Sequence, residues 1–310
     1  MLTPVFQGVS PLVKHFFAVL VSAALATSVF AADKATAKPR TAKTTVAEFT
    51  KDGDPVIHSS GALVFDPATG ATLFSKNADH VAPIASITKL MTAMVVIDAK
   101  LPMEEPIEIT TEDIDTVKGT GSRLPFGSHF RRDDLLRLAL MASDNRAASA
   151  LGRNYPGGLP AFVDAMNAKA QVLGLTQTHY VDSSGLSPGN VSSPQDLAKL
   201  VTAASKYELI KDYTTTRAVS VQLPDSKRKM TFVNTNGLVR ASDWQIGLSK
   251  TGYISEAGKC LVMQAMIANQ PVVIVLLDSW GRLTRIGDAN RIRKWLEKNP
   301  ARITTPLQGG

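Results

Sequence analysis

Apolar residues recur along this chain with two different periods, and the switch between them predicts its layout. From Gly61 the sequence reads GALVFDPATGATLFSKNAD, where the apolar runs Ala62–Phe65 and Thr72–Ser75 flank Asp66-Pro67-Ala68-Thr69-Gly70. Two short runs around a Pro/Gly turn predict a pair of strands. The next stretch, VAPIASITKLMTAMVVIDAK, predicts a loop and then a helix beginning near Ser86. Apolar residues occupy nearly every face of that helix from Leu90 to Ile97, which predicts burial on all sides. Residues 133–154 carry helical periodicity on both sides of Ser143-Asp144-Asn145, so two helices joined by a short polar connection are expected. Asp133 and Asp134 open the first of them, where the helix dipole favours acids. Helices are also predicted over 159–173 and 194–205, the latter opened by Ser193-Pro194-Gln195-Asp196, a cap followed by proline.

Beyond Lys211 the pattern predicts strands. VSVQL leads to a polar hairpin tip at Pro224–Lys229, and then come IGLSKTGYIS, KCLVMQAMIA and PVVIVLLDS, the last two joined at Asn269-Gln270. Gly287–Lys298 is an amphipathic helix with Ile292, Trp295 and Leu296 on one side, and Asn299–Gly310 reads as a frayed tail. Strands, helical block, strands and helix predict an α+β domain. Its antiparallel sheet is built from both chain ends, with a helical subdomain inserted.

Composition narrows the setting. With 310 residues and 44% hydrophobic content there is room for one large domain, expected over 56–298. Lys14, the apolar run Phe16–Phe30 and the small-residue site Val29-Phe30-Ala31 predict a cleaved signal peptide over 1–31. That run falls short of the roughly 20 residues a membrane span needs. The mature protein is therefore expected to be periplasmic, with no transmembrane segment. Residues 32–55 begin with an Ala/Thr/Lys-rich stretch broken by Pro39 and read as a flexible basic leader. A lone Cys260 in an apolar run excludes an internal disulfide and reads as a small buried hydrophobe. Part of the net charge of +7 belongs to Lys14 and the basic leader; the rest is spread out, with no basic cluster interleaved with aromatics, which argues against nucleic acid. His15, His58, His80, His129 and His179 lack metal-ligand spacing, so no metal and no cofactor are expected.

Three strings carry the chemistry: Ser86-Ile87-Thr88-Lys89, Ser143-Asp144-Asn145 and Lys250-Thr251-Gly252. A serine hydroxyl is a weak nucleophile unless a base lies within hydrogen-bond reach. A lysine three residues on, along a helix, shares its face. Crowding by burial or other cations disfavours the ammonium and turns it into a base. Each string alone has a bland explanation. Ser226-Lys227-Arg228-Lys229 also matches Ser-x-x-Lys, but in a charged hairpin tip with nothing to align or desolvate the pair. Ser143 and Asn145 could merely cap a helix. Their conjunction, at a helix start, an interhelical connection and a sheet strand, is what is specific.

In that order the strings resemble the active-site signature of the low-molecular-mass penicillin-binding proteins, the D-alanyl-D-alanine carboxypeptidase/endopeptidase family. The resemblance spans about Gly61 to Lys298. LMASDNRAASALGRNYPGGLPAFVDAMNAKAQVLGL and NTNGLVRASDWQIGLSKTGYISEAGKCLVM are similar to its periplasmic endopeptidase branch. The resemblance implies a β-lactamase/transpeptidase-like fold. It implies peptidoglycan stem peptides as substrates and β-lactams as covalent inhibitors. It makes Ser86 the acylated nucleophile, Lys89 its base and Ser143 the proton relay to the leaving amine. Asn145 would position the substrate amide, and Lys250 and Thr251 would bind its carboxylate. The N–H groups of Ser86 and Tyr253 would form an oxyanion hole, and Gly252 would let substrate lie against the strand. The short remainder after Gly252 favours a one-domain enzyme without its own anchor, and Arg282 and Arg285 read as surface residues. Cleavage of D-alanyl cross-links is expected ahead of carboxypeptidase action on pentapeptide stems. A class A-like β-lactamase comes third, because the only Glu between Asn145 and Lys250 is Glu208, without the setting of a deacylating acid.

Overall fold

Strand pairing brings the two ends of the chain together. The computed structural model describes residues 47–223 and 229–304. The expected signal peptide, most of the leader and the serine of the hairpin-tip Ser-x-x-Lys lie outside them. Strands β1 (Gly61–Phe65) and β2 (Thr72–Lys76) come first; β3 (Ala82–Pro83) then leads through a 3-10 turn at Ala85–Thr88 into helix α1 (Lys89–Asp98). The inserted block follows: β4 (Pro106–Glu108), β5 (His129–Arg131), α2 (Arg132–Met141), α3 (Asn145–Arg153), α4 (Gly158–Val172), β6 (Val191–Ser192), α5 (Pro194–Ala204) and α6 (Glu208–Thr215). Strands β7 (Ala218–Gln222) and β8 (Lys229–Val233) pair, and the one-turn helix α7 (Gly237–Arg240) precedes the last sheet strands. Those are β9 (Ile246–Ile254), β10 (Gly258–Ile267) and β11 (Gln270–Ser279), followed by α8 (Thr284–Lys298) and the short α9 (Ala301–Thr304).

The main sheet has the order β2-β1-β11-β10-β9 and is antiparallel throughout. Its strands are near-continuous apolar runs because both faces are covered. On one face Cys260, Val262, Val273, Val275 and Leu277 join the core around α1. On the other, Leu261, Met263, Ile274 and Leu276 pack with Ile292, Trp295 and Leu296 of α8. Helix α1 is buried from Lys89 to Val96, as its all-round apolar pattern predicts.

Three details depart from the pattern reading. The Thr-rich segment after Glu208 forms helix α6 rather than strand, because Ile210, Tyr213 and Thr214 make one buried face. Tyr213 bonds Asp133 and lies under the Arg137 guanidinium, so packing on α2 overrides the β-branched composition. The β10–β11 turn is Ala268-Asn269, one residue earlier than expected, and both residues are left-handed (φ 48° and 62°), the geometry that matches strand twist. Residues 47–55, assigned by composition to the leader, fold back through a Phe49–Pro55 bridge, and Glu48 pairs with Lys294 of α8.

Candidate active site

The site is built on the turn that carries Ser86. Ala85, just before it, has a left-handed backbone (φ 47°), uncommon for a residue with a side chain and a hallmark of stored strain. Two glycines grip this turn. A Cβ on Gly252 would stand 2.9 Å from the Ile84 carbonyl and 3.1 Å from Ser86 N, and a Cβ on Gly185 would overlap the Ala85 carbonyl. Gly252 is therefore needed to seat the nucleophile turn against β9. The helix proper begins at Lys89, and Ser86 sits in the 3-10 turn before it.

Lys89 is fully buried. Its Nζ lies 2.9 Å from Ser86 Oγ, 2.7 Å from Asn145 Oδ1 and 2.6 Å from the Ser184 carbonyl. Burial pushes the ammonium down from its usual range to about 7, against the opposing pull of Asp182, Asp144 and Asp115. A neutral amine would spend two N–H donors on Asn145 Oδ1 and the Ser184 carbonyl, leaving its lone pair for Ser86.

The second string closes the cleft opposite. Ser143, in the connection between α2 and α3, is also left-handed (φ 58°), and its Oγ accepts from Lys250 Nζ at 2.8 Å. Asp144 caps α3 by accepting from Ala147 N at 2.9 Å and also takes the Ser122 hydroxyl, so the middle letter of the string is architectural. Asn145 donates to Thr120 Oγ1 at 2.8 Å while its Oδ1 faces Lys89.

The third string lies on β9, the sheet edge beside the nucleophile turn. Lys250 is buried, and desolvation, then Lys89, then Arg285 hold its ammonium well below the ordinary range. Thr251 Oγ1 is 2.7 Å from Thr235 Oγ1. Tyr253 turns its side chain to solvent, 60% exposed. Hydrogen bonds thus join Ser86, Lys89 and Asn145, and Ser143 to Lys250, while Gly252 packs on the Ser86 turn and Thr251 and Tyr253 flank it on β9.

Several neighbours escaped the sequence reading. Arg285, expected at the surface, is partly buried on α8 and donates to the carbonyls of Gly252 and Cys260, both at 3.1 Å. Its Nε is buried without a partner. Asp182 organises the 182–190 loop by accepting from Ser184 N, Gly185 N, Ser187 N and Asn190 Nδ2, which presents the Ser184 carbonyl to Lys89. The Asp/Ser/Gly/Asn density of that loop signals a turn, but nothing local ties it to Lys89. Lys118 pairs with Glu256, linking the segment that carries Thr120 to the β9–β10 turn. Glu208 is at the surface paired with Lys211, so it offers the cleft no acid. Cys260 is buried and its thiol is pushed up to about 11, which makes it inert.

The chain is similar to known proteins over most of its length. Residues 47–280 match the family model described as D-alanyl-D-alanine carboxypeptidase. A D-alanyl-D-alanine endopeptidase from Pseudomonas aeruginosa is 49% identical over 77% of this chain and 77% of its own length. One of the same name from Escherichia coli is 44% identical over 90% of this chain and 87% of its own. The crystal structure of a Streptomyces DD-transpeptidase superposes with a TM-score of 0.73 at 30% identity, covering 78% of this chain and 97% of that one. The chain belongs to the D-alanyl-D-alanine carboxypeptidase family of serine peptidases. Its fold is the penicillin-binding, β-lactamase-like one.

Proposed function

We propose that this protein is an exported D-alanyl-D-alanine endopeptidase that cuts peptidoglycan cross-links through an acyl-enzyme on Ser86. The observation that carries this reading is the Lys89 amine, buried, with Asn145 Oδ1 and the Ser184 carbonyl as acceptors, 2.9 Å from Ser86 Oγ. Ser86 Oγ attacks the D-alanyl carbonyl and its proton passes to Lys89. The carbonyl oxygen gathers negative charge between the N–H groups of Ser86 and of Tyr253 on the open strand edge. Collapse breaks the D-alanyl amide bond, and the departing nitrogen takes a proton through Ser143. That proton is the one Lys89 drew from Ser86, passed on so that Lys89 is neutral again and Lys250 keeps its own. Water then attacks the ester, giving a proton to Lys89, which hands it to the departing Ser86 Oγ. Lys250, Thr251 and Arg285 present cationic and hydroxyl donors to the carboxylate beside the leaving nitrogen.

A β-lactam offers the same carboxylate and a strained amide, so it acylates Ser86 and stays, since Glu208, the one Glu between Asn145 and Lys250, lies at the surface paired with Lys211. The endopeptidase names of the more similar relatives favour cross-link cleavage over release of terminal D-alanine. The apolar run at Phe16–Phe30 supports export to the periplasm, where that polymer lies. The test is twofold. Fluorescent penicillin should label the mature protein and not Ser86→Ala, and cross-linked muropeptide dimers should yield monomers. Labelling of the alanine variant would overturn Ser86 as nucleophile. Release of terminal D-alanine alone would make the enzyme a carboxypeptidase, and sustained nitrocefin turnover would make it a β-lactamase.

A further inference from the structure

Asn145 can accept from Lys89 only if its amide is turned the right way, and the two ends of an amide are nearly the same shape. What turns it lies outside the three strings, in residues 115–122. The hub of that segment is the Asp115 carboxylate. Its Oδ1 accepts from Val117 N at 2.9 Å and Lys118 N at 2.8 Å. Its Oδ2 accepts from Thr120 N at 2.8 Å and from the Thr120 hydroxyl at 2.6 Å. An ionised carboxylate only accepts, so the single hydroxyl hydrogen of Thr120 is committed to Asp115. Toward its other neighbour the Thr120 oxygen can then only accept. That neighbour is Asn145 Nδ2, at 2.8 Å. With the amide nitrogen spent there, Oδ1 is left facing Lys89 Nζ at 2.7 Å, where the amine must donate. A second N–H goes to the Ser184 carbonyl, and the lone pair of the neutral amine remains for Ser86 Oγ. The segment is also tied to both walls of the cleft. Lys118 pairs with Glu256 of the β9–β10 turn, and Ser122 Oγ donates to Asp144 Oδ2 at 2.9 Å.

Reversing one of these bonds reverses the rest. A flipped Asn145 would aim an N–H at Lys89, and the amine would spend its lone pair on that hydrogen instead of the serine proton. We propose that Asp115 and Thr120 are positioning residues for acylation. Asp115 fixes the hydroxyl of Thr120, Thr120 fixes the amide of Asn145, and that amide fixes the lone pair of Lys89 on Ser86. Neither gains or loses a proton in the cycle. This inference rests on Lys89 being the base that serves Ser86, as in the reading above, and not on which D-alanyl bond is cut.

The test is the pH profile of acylation by a fluorescent penicillin, measured on the full mature enzyme. Wild type is compared with Thr120→Val, Thr120→Ser, Asp115→Asn and the double variant Asp115→Asn/Thr120→Val. Lys89 is faced by Asp182 from the 182–190 loop, Asp144 from the α2–α3 connection, Asp115 from this segment and Lys250 from β9. Thr120→Val leaves all four in place and removes only the hydroxyl. Asn145 then offers Lys89 no fixed acceptor, and losing an acceptor disfavours the ammonium. The midpoint of the profile should therefore fall below that of wild type. The plateau should drop about fivefold, the scale of one hydrogen bond. Thr120→Ser, which keeps the hydroxyl, should hold both near wild type. Asp115→Asn should lower the plateau as Thr120→Val does, because its amide can give Thr120 a hydrogen and free the hydroxyl to point at Asn145. The double variant should be no slower than the slower single one, as links of one chain behave. An unchanged profile in Thr120→Val, or a lower plateau at an unmoved midpoint, would overturn the proposal. So would Thr120→Ser as impaired as Thr120→Val, or losses that add in the double variant. A wild-type rate that does not rise with pH around 7 would sink Lys89 as the base, and the proposal with it.

Discussion

Lys89 shows what one residue gains and loses from its surroundings. Its proton is held at about 7 in the folded protein against 10.5 for an ordinary lysine. The acylation rate by a β-lactam should therefore rise with pH to half its plateau near pH 7, as the free-base fraction grows. The stability consequence has its own sign. Between pH 7 and 10.5 the unfolded chain binds more protons at this residue than the native one, so Lys89 makes stability rise with pH across that window. Lys89→Met should flatten that dependence in denaturant titrations at several pH values while slowing acylation by about 100-fold or more. Arg285, with an unpartnered buried Nε, belongs to the same scale. Arg285→Leu should raise KM for carboxylate-bearing peptides far more than it lowers the rate of acylation by a substrate whose carboxylate is esterified. The identities of Ser86 and Lys89 were legible from spacing alone. Arg285 was not, because its link to Gly252 joins residues far apart in the chain.

Among the elements, the turn at Ala85–Thr88 depends on two neighbours that touch it through missing side chains. Gly252→Ala would push a methyl against the Ile84 carbonyl and Ser86 N, and Gly185→Ala would push one into the Ala85 carbonyl. Overpacking of this kind costs about 1–3 kcal/mol. Gly185 also has a left-handed backbone (φ 80°), which adds to the strain of any replacement there. Both variants should lose acylation by more than their loss in melting temperature explains, measured by penicillin labelling beside thermal unfolding. The elements themselves were mostly readable, since α1, α2, α3 and the three late strands follow the hydrophobic period. Helix α6 was not: its threonines favour strand locally, and only packing on α2 selects the helix.

For the whole molecule, the decisive feature is closure of the sheet by strands from both chain ends. Asp288 of α8 pins this closure from within: it is fully buried, accepts from His58 N at 3.0 Å and Ser59 N at 2.8 Å, and pairs with Arg291. Asp288→Ala would strand those donors and the cation, and should destabilise the protein by about 3 kcal/mol. Urea midpoints should show it, with the penicillin acylation rate of the folded fraction unchanged.

By itself the sequence determined the reaction class and the order of layers, because nucleophile and base lie one helical turn apart and because hydrophobic period is a local property. Tertiary structure alone decided which distant groups complete the site. Ser143 meets Lys250 and Ser184 meets Lys89 across long stretches of chain. Burial, which lowers the proton affinity of both lysines, exists only once the helical block has closed over the sheet. Spacing can propose a lysine base; only the packed interior can make it one.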